Sequence, residues 1–204
     1  TGHGAAGPWW TTDHGKVRLI ASGNTAGNIT NYTSGQAEKI RLGLQFQMQP
    51  GWKIYWRSPG EAGFPPRPSW AGSQNVAAIQ IDWPIPIRFS VSGMETLGYK
   101  NEVVLPLHLE LFEPGKAVSI RARVPYLTCE EICVPYEARL TLNLPAGPVS
   151  NSPEAALIDR FAALVPVKGA VANLSIAVAE IDGAPGEQQL RIVASAAQPF
   201  TKPE

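Results

Sequence analysis

Cys129 and Cys133 are the only cysteines of this chain, and Glu130, Glu131 and Ile132 separate them. Three chemistries are open to thiols at that spacing: reversible dithiol–disulfide exchange, a structural bridge, or metal ligation. A bridge requires Cα atoms roughly 4.4–6.8 Å apart, whereas residues four apart in an extended strand lie roughly 13 Å apart. The segment from Tyr126 to Pro135 must therefore turn back on itself. The loop so closed is very short, and in the loop-entropy description short loops stabilise least. The pair is a poor staple and a plausible redox couple.

Metal ligation is less well served. Zinc usually takes four ligands, and His3, His14 and His108 are scattered, with no second Cys pair. Copper(I) accepts fewer, softer ligands, so Met48 and Met94 keep that reading open.

The elements that must position the cysteines are short strands. Charged residues make up only 17% of the 204, while Gly and Pro number 19 each. Short apolar runs among so many turn formers point to an all-β chain. The formal net charge is zero and Lys and Arg are unclustered, which argues against a nucleic-acid footprint. No apolar run approaches the ~18 residues of a membrane-crossing helix. No signal peptide is visible, and residues 1–15, Gly-rich from Thr1 to Gly7, read as a flexible or trimmed terminus. The end, Phe200 to Glu204, reads as a cut through a longer protein, which leaves room for a leader or a membrane anchor in segments outside this sequence. The sequons at Asn28, Asn31 and Asn173 are read as chance.

Alternation is clearest over 38–48, where Ile40, Leu42, Leu44, Phe46 and Met48 interleave with Lys39, Arg41, Gly43, Gln45 and Gln47. This predicts a strand with one buried and one wet face. Further strands are expected at 16–22, 52–57, 75–83, 85–91, 102–112, 117–127 and 136–144. Loops are expected at 24–35, 58–68 and 92–101, and Pro106 marks an edge or bulge. The cysteines fall between the last two strands. Strands at this spacing predict an immunoglobulin-like β-sandwich over 16–145. After a linker at 145–153, Ser152 is expected to cap a helix over 153–165, with Pro153 and Glu154 in its first turn. Its apolar face is Leu157, Ile158, Phe161 and Leu164. Strands at 171–181 and 188–196 follow around Asp182-Gly183. A helix and a hairpin are too little for an independent domain, so 146–204 reads as a linker and the start of a second module, or as an extension packed on the first.

Four stretches together resemble one family. They are Pro50-Gly51-Trp52-Lys53-Ile54-Tyr55-Trp56-Arg57-Ser58-Pro59-Gly60-Glu61-Ala62-Gly63, Asp82-Trp83-Pro84-Ile85-Pro86, Leu97-Gly98-Tyr99-Lys100-Asn101-Glu102-Val103-Val104-Leu105-Pro106, and the cysteine segment. The resemblance, over roughly 15–145, is to the N-terminal periplasmic domain of the DsbD family of thiol:disulfide interchange proteins. It is closer to the ScsB (suppressor of copper sensitivity) branch, whose N-terminal region is longer, than to DsbD itself. It implies an immunoglobulin-like domain of an inner-membrane protein, facing the periplasm. Such a domain takes electrons from a membrane-embedded domain through a thioredoxin-like domain of the same protein. It passes them to periplasmic thioredoxin-fold proteins, disulfide isomerase-like or ScsC-like. The redox-active disulfide implies no other cofactor. One departure is the spacing: DsbD itself separates its cysteines by five residues.

By this resemblance Cys133 is the nucleophile and Cys129 the resolver; the residues alone do not choose between them. The family's cap loop maps to 92–101, with Met94, Glu95, Leu97 and Tyr99 as the covering candidates and Gly93 and Gly98 as hinges. A sulfur–aromatic contact there would be mildly favourable. Loop packing is the plainer role for these side chains. Tyr55 aligns with an aromatic position lining the site, Tyr126 and Tyr136 flank it, and Trp52 and Trp56 read as packing. Glu130 and Glu131 would raise the thiol pKa values, unless both simply face solvent. Two rival functions remain: a copper(I) module using Cys129, Cys133 and Met94 or His108, and a docking sandwich with an inert bridge.

Overall fold

The computed structural model describes residues 5–26, 41–147, 151–167, 169, 173–184 and 186–197, without the side chains of 177–179. His3, the start of the strand expected from 38, most of the 24–35 loop, the sequons at Asn28 and Asn31 and the segment 200–204 lie outside these residues. Two compact units divide the chain between Val165 and Pro166.

The first unit is an immunoglobulin-like sandwich of two antiparallel sheets. One holds β1 (Trp10–Thr12), β2 (Gly15–Ala21), β3 (Arg41–Met48), β8 (Glu102–Glu110) and β5 (Ala78–Ile81), in that order. The other runs β10 (Cys133–Leu144), β9 (Val118–Cys129), β4 (Lys53–Gly60), β7 (Met94–Lys100) and β6 (Ile87–Val91). Because side chains alternate along a strand, each sheet turns one row inward. Leu19, Leu44, Phe46 and Leu105 meet Ile54, Ile120, Val124 and Leu140 in one continuous core.

Three expectations are corrected. The stretch 1–15 is not all a flexible terminus, since Trp10–Thr12 pair with Gly15–Val17 as β1 and β2. The segment 92–101 is not a loop but the strand β7. Ser92 and Gly93 both have positive φ (51° and 83°) and join Val91 directly to Met94. Two such residues form the tight hairpin turn whose twist matches paired strands. Nor does β3 have a wet face: Gly43 and Gln45 are buried like Leu42 and Leu44. The cover is helix α1 (Ala155–Ala162), whose Ile158 and Phe161 are buried. A Cβ at Gly43 would overlap Val104 and crowd Ile20 and Ile158. Glycine at this site thus lets the helix lie close to the sheet.

The helix therefore belongs to the first unit. Glu154, not Ser152, is its N-cap residue, and no side chain caps it. The buried Ser152 hydroxyl donates instead to the Ala21 carbonyl, tying the helix start to β2. Leu164 is 47% exposed and is not part of the apolar face.

A polar network locks the other end of the helix. Gln45 and Gln47 amides donate to one oxygen of Glu102 at 2.8 Å, and Arg160 donates to the other at 2.9 Å. Burial pushes the Glu102 carboxyl up, but these three hydrogen bonds and the Arg160 charge outweigh it, and its pKa is lowered.

The second unit contains β11 (Leu174–Asp182) and β12 (Gln189–Ala196), paired antiparallel. A register shift between Ile176 and Val178 keeps Leu174, Ile176, Ile181, Leu190 and Ile192 on one face, and all five are exposed.

Ile158→Ala is expected to cost about 2–4 kcal/mol, as for other buried truncations that leave a cavity, measured by urea unfolding. Glu102, with its folded pKa depressed, contributes stability present above its unfolded value of about 4.3 and lost as pH falls through the folded one. Unfolding curves of Glu102→Gln and the parent should therefore converge as pH falls below that value and separate above it.

Candidate functional site

The strands β9 and β10 run in register from Leu144↔Val118 to Cys133↔Cys129, so the cysteines are the last cross-strand pair of the ladder. The chain turns through Glu130, Glu131 and Ile132, closed by a Glu130 N–H to Ile132 carbonyl hydrogen bond of 3.1 Å. The Cα atoms of the two cysteines are 4.1 Å apart and their sulfurs are bonded. That separation is close to the ~4.5 Å of a non-hydrogen-bonded antiparallel pair. Extension of β9 and β10 to the cysteines, beyond the expected 117–127 and 136–144, is what brings the thiols together.

Alternation decides which way the sulfurs face. Thr128 and Cys129 are both buried, but consecutive strand residues point to opposite sides. Thr128 shares its row with Ile54, and Cys129 shares its row with Lys53. The disulfide thus sits on the outer face of its sheet, away from the sandwich core. A second, smaller cluster of Tyr55, Phe89 and Val91, with Leu127 against it, buries Cys129 completely. Cys133, on the edge strand, is exposed, as is Ile132 beside it.

Tyr55 supplies the polar contact. Its hydroxyl donates to Cys129 Sγ at 2.9 Å and lies 3.7 Å from Cys133 Sγ. Burial raises the Tyr55 pKa, so the phenol keeps its proton through the physiological range. The loop at 61–67 fixes the ring: Gly63 has φ +110°, and a Cβ there would overlap the Tyr55 ring atoms. The Phe89 ring lies 6.0 Å from that of Tyr55, and the ammoniums of Lys53 and Lys100 lie 5.5 and 6.0 Å from the Phe89 centroid.

The other expected site residues are spread out. Tyr99 and Tyr126 face inward. Tyr99 donates to the Pro84 carbonyl, Tyr126 packs on Phe46 and Trp10, and burial pushes both phenols up. Neither covers the sulfurs. Tyr136 packs beside Tyr126 and is hydrogen-bonded to His14 Nδ1. Leu97 and Glu95 fall on the opposite side of β7 from the disulfide row, and the Glu95 N–H binds Glu61. Met94 is on the disulfide's side but at the hairpin end, paired with Val91 and 39% exposed. Glu130 and Glu131 are exposed, with the Glu130 carboxylate against Gly51.

The copper set is not assembled. His108 lies on β8 in the other sheet, paired with Asp82. Among the described residues no group of three or more His, Cys, Asp or Glu side chains is placed to hold a metal. Sequence reasoning missed Phe89, Val91, Gly63 and Lys53. For Phe89, Val91 and Lys53 the strands were legible but the cross-strand register that brings them to the Cys129 side is non-local, and Gly63 acts only through the Tyr55 ring that the loop folds against.

The arrangement joins an accessible sulfur to a shielded one that has a hydroxyl donor in place. Attack at Cys133 would expel Cys129 as a thiolate, and Tyr55 stands where that charge develops. Tyr55→Phe should raise the Cys129 thiol pKa by about one unit, given ~1.5 kcal/mol or more for a hydrogen bond to a charged group. The pH dependence of alkylation of the reduced Cys133→Ala protein measures this; an unmoved pKa would refute the contact's role.

The family described as Thiol:disulfide interchange protein DsbD, N-terminal, matches residues 24–145. No curated protein matches the chain. Among solved structures, the N-terminal periplasmic domain of ScsB from Proteus mirabilis is similar, with a TM-score of 0.70 and 28% identity over 96% of this chain and 70% of that one. The reduced N-terminal domain of DsbD from Neisseria meningitidis aligns at 10% identity and a TM-score of 0.34, over 66% of this chain and 88% of its own.

Proposed function

Because this chain belongs to the DsbD N-terminal family of thiol:disulfide exchange domains, we propose that it is a periplasmic relay for reducing equivalents. The observation that carries this reading is the asymmetry of the disulfide, with Cys129 wholly buried and Cys133 exposed. Attack on a disulfide depends on access to the sulfur and on the stability of the departing thiolate. Both favour entry at Cys133.

In the charging step a thiolate of the thioredoxin-like domain of the same full-length protein attacks Cys133 Sγ. The Cys129–Cys133 bond breaks, a mixed disulfide forms, and Cys129 leaves as a thiolate held by the Tyr55 hydroxyl. The donor's second thiolate then attacks the mixed disulfide, which oxidises the donor and frees Cys133. In the discharging step the Cys133 thiolate attacks the disulfide of a periplasmic thioredoxin-fold protein, and Cys129 resolves the intermediate. Two electrons enter and two leave, with no cofactor besides the sulfurs. An inner-membrane host protein completes the path.

Equilibration in glutathione buffers, read by mass spectrometry, should give a reversible couple between roughly −180 and −270 mV, the span of known exchange proteins. A bridge unreduced above about −300 mV would make it structural and sink the relay. Cys129→Ala should accumulate a mixed disulfide through Cys133 with a thioredoxin-fold partner, whereas Cys133→Ala should trap far less.

A further inference from the structure

The row of side chains that contains Cys129 continues across the sheet as Lys53 on β4 and Lys100 on β7. Like charges directly opposite one another on neighbouring strands are destabilising. Among the described residues no carboxylate lies within ion-pair distance of either ammonium. Both instead approach the same ring, Phe89, which helps bury Cys129. Glu130 and Glu131 occupy the hairpin tip, both exposed, with the Glu130 carboxylate turned to Gly51. The approach to the exposed Cys133 is thus bounded by two acids in the turn and two unpaired lysines along the row.

We propose that Lys53 and Lys100 are specificity residues that select a redox partner carrying negative charge beside its attacking sulfur. The inference rests on the exchange reading above. Paired ammoniums attract an anionic group as it nears Cys133, and complementary charge raises encounter rates and suppresses wrong partners. The partner chemistry is a cysteine flanked by a carboxylate on a thioredoxin-fold surface. No step of the sulfur chemistry changes: the incoming thiolate still bonds to Cys133 and Cys129 still leaves with the electron pair.

Small thiols test this without a protein partner. The oxidised protein is reduced at low ionic strength with 2-mercaptoethanesulfonate, 2-mercaptoethanol or cysteamine, whose second groups are anionic, neutral and cationic. Each rate is divided by that of the Lys53→Gln/Lys100→Gln variant, so that the thiols' own reactivities cancel. The ratio should be about three- to fourfold larger for the sulfonate than for the neutral thiol, from charges two and three strand spacings from Cys133, roughly 9 and 14 Å, in water. It should fall below the neutral value for cysteamine, and the differences should fade at 1 M salt. Lys100→Gln alone, at an exposed position, should give an intermediate ratio and covers the case that the double variant is unstable. Equal ratios for the three thiols would overturn the proposal while leaving the exchange reading intact. Failure of all three to reduce the wild-type bond would instead overturn the exchange reading itself.

Discussion

Strand alternation places Thr128 and Cys129 on opposite sides of one sheet, and the rest of the site depends on that. Had the inward row ended one residue later, the sulfur would have entered the sandwich core beside Tyr126 and Val124, beyond the reach of another protein. On the outer face it is accessible in principle, and the molecule supplies a separate small cover of Tyr55, Phe89 and Val91. The large core gives the frame its rigidity, and the small cluster sets the environment of one sulfur atom. Changes in either need not disturb the other.

The pairing of a shielded and an open sulfur follows from position in the sheet. Cys129 ends an interior strand flanked by β4 and β10, whereas Cys133 begins an edge strand. The irregularity in β4 just after Tyr55, where pairing with β7 breaks and resumes only at Gly60, lets the segment from Glu61 fold back over the ring. A regular strand would have continued past the site and left Tyr55 uncovered. Bulges next to reactive residues commonly serve to re-aim a side chain, and this one holds a phenol hydroxyl on a sulfur.

Much of this was legible in the sequence. Eight of the ten strands of the first unit, the sandwich and the turn between the cysteines follow from alternation and turn residues, and the family motifs single out Tyr55. What was not legible was set by partners distant in sequence. The polar row of β3 reads as solvent-facing until Ile158 and Glu102 arrive to cover it. The segment 92–101, rich in polar residues, reads as a loop because a positive φ at Ser92 is invisible in its residue type. Tyr99 and Tyr126 were expected at the sulfurs because they are near them in motif and sequence, but one step along a strand is half a rotation, and both enter the core. Phe89 reaches Cys129 only because β6, β7, β4 and β9 lie side by side.

The ladder between β9 and β10 has a thermodynamic consequence. Its cross-strand pairs hold the two cysteines opposite each other along strands of 12 residues each, whether or not the sulfurs are bonded. Opening the bond therefore loosens little beyond the three-residue tip. The difference in folding stability between oxidised and reduced protein then comes chiefly from the unfolded chain, where closing so small a ring costs about 2 kcal/mol of entropy. Around a closed cycle that difference equals the displacement of the couple from the same dithiol in an unfolded peptide, roughly 40 mV toward the reducing side at 30 mV per ~1.4 kcal/mol. The hairpin thus behaves as a nearly neutral electrode mount: the fold presents the couple to its partners and leaves most of its voltage to the sulfurs and their immediate neighbours.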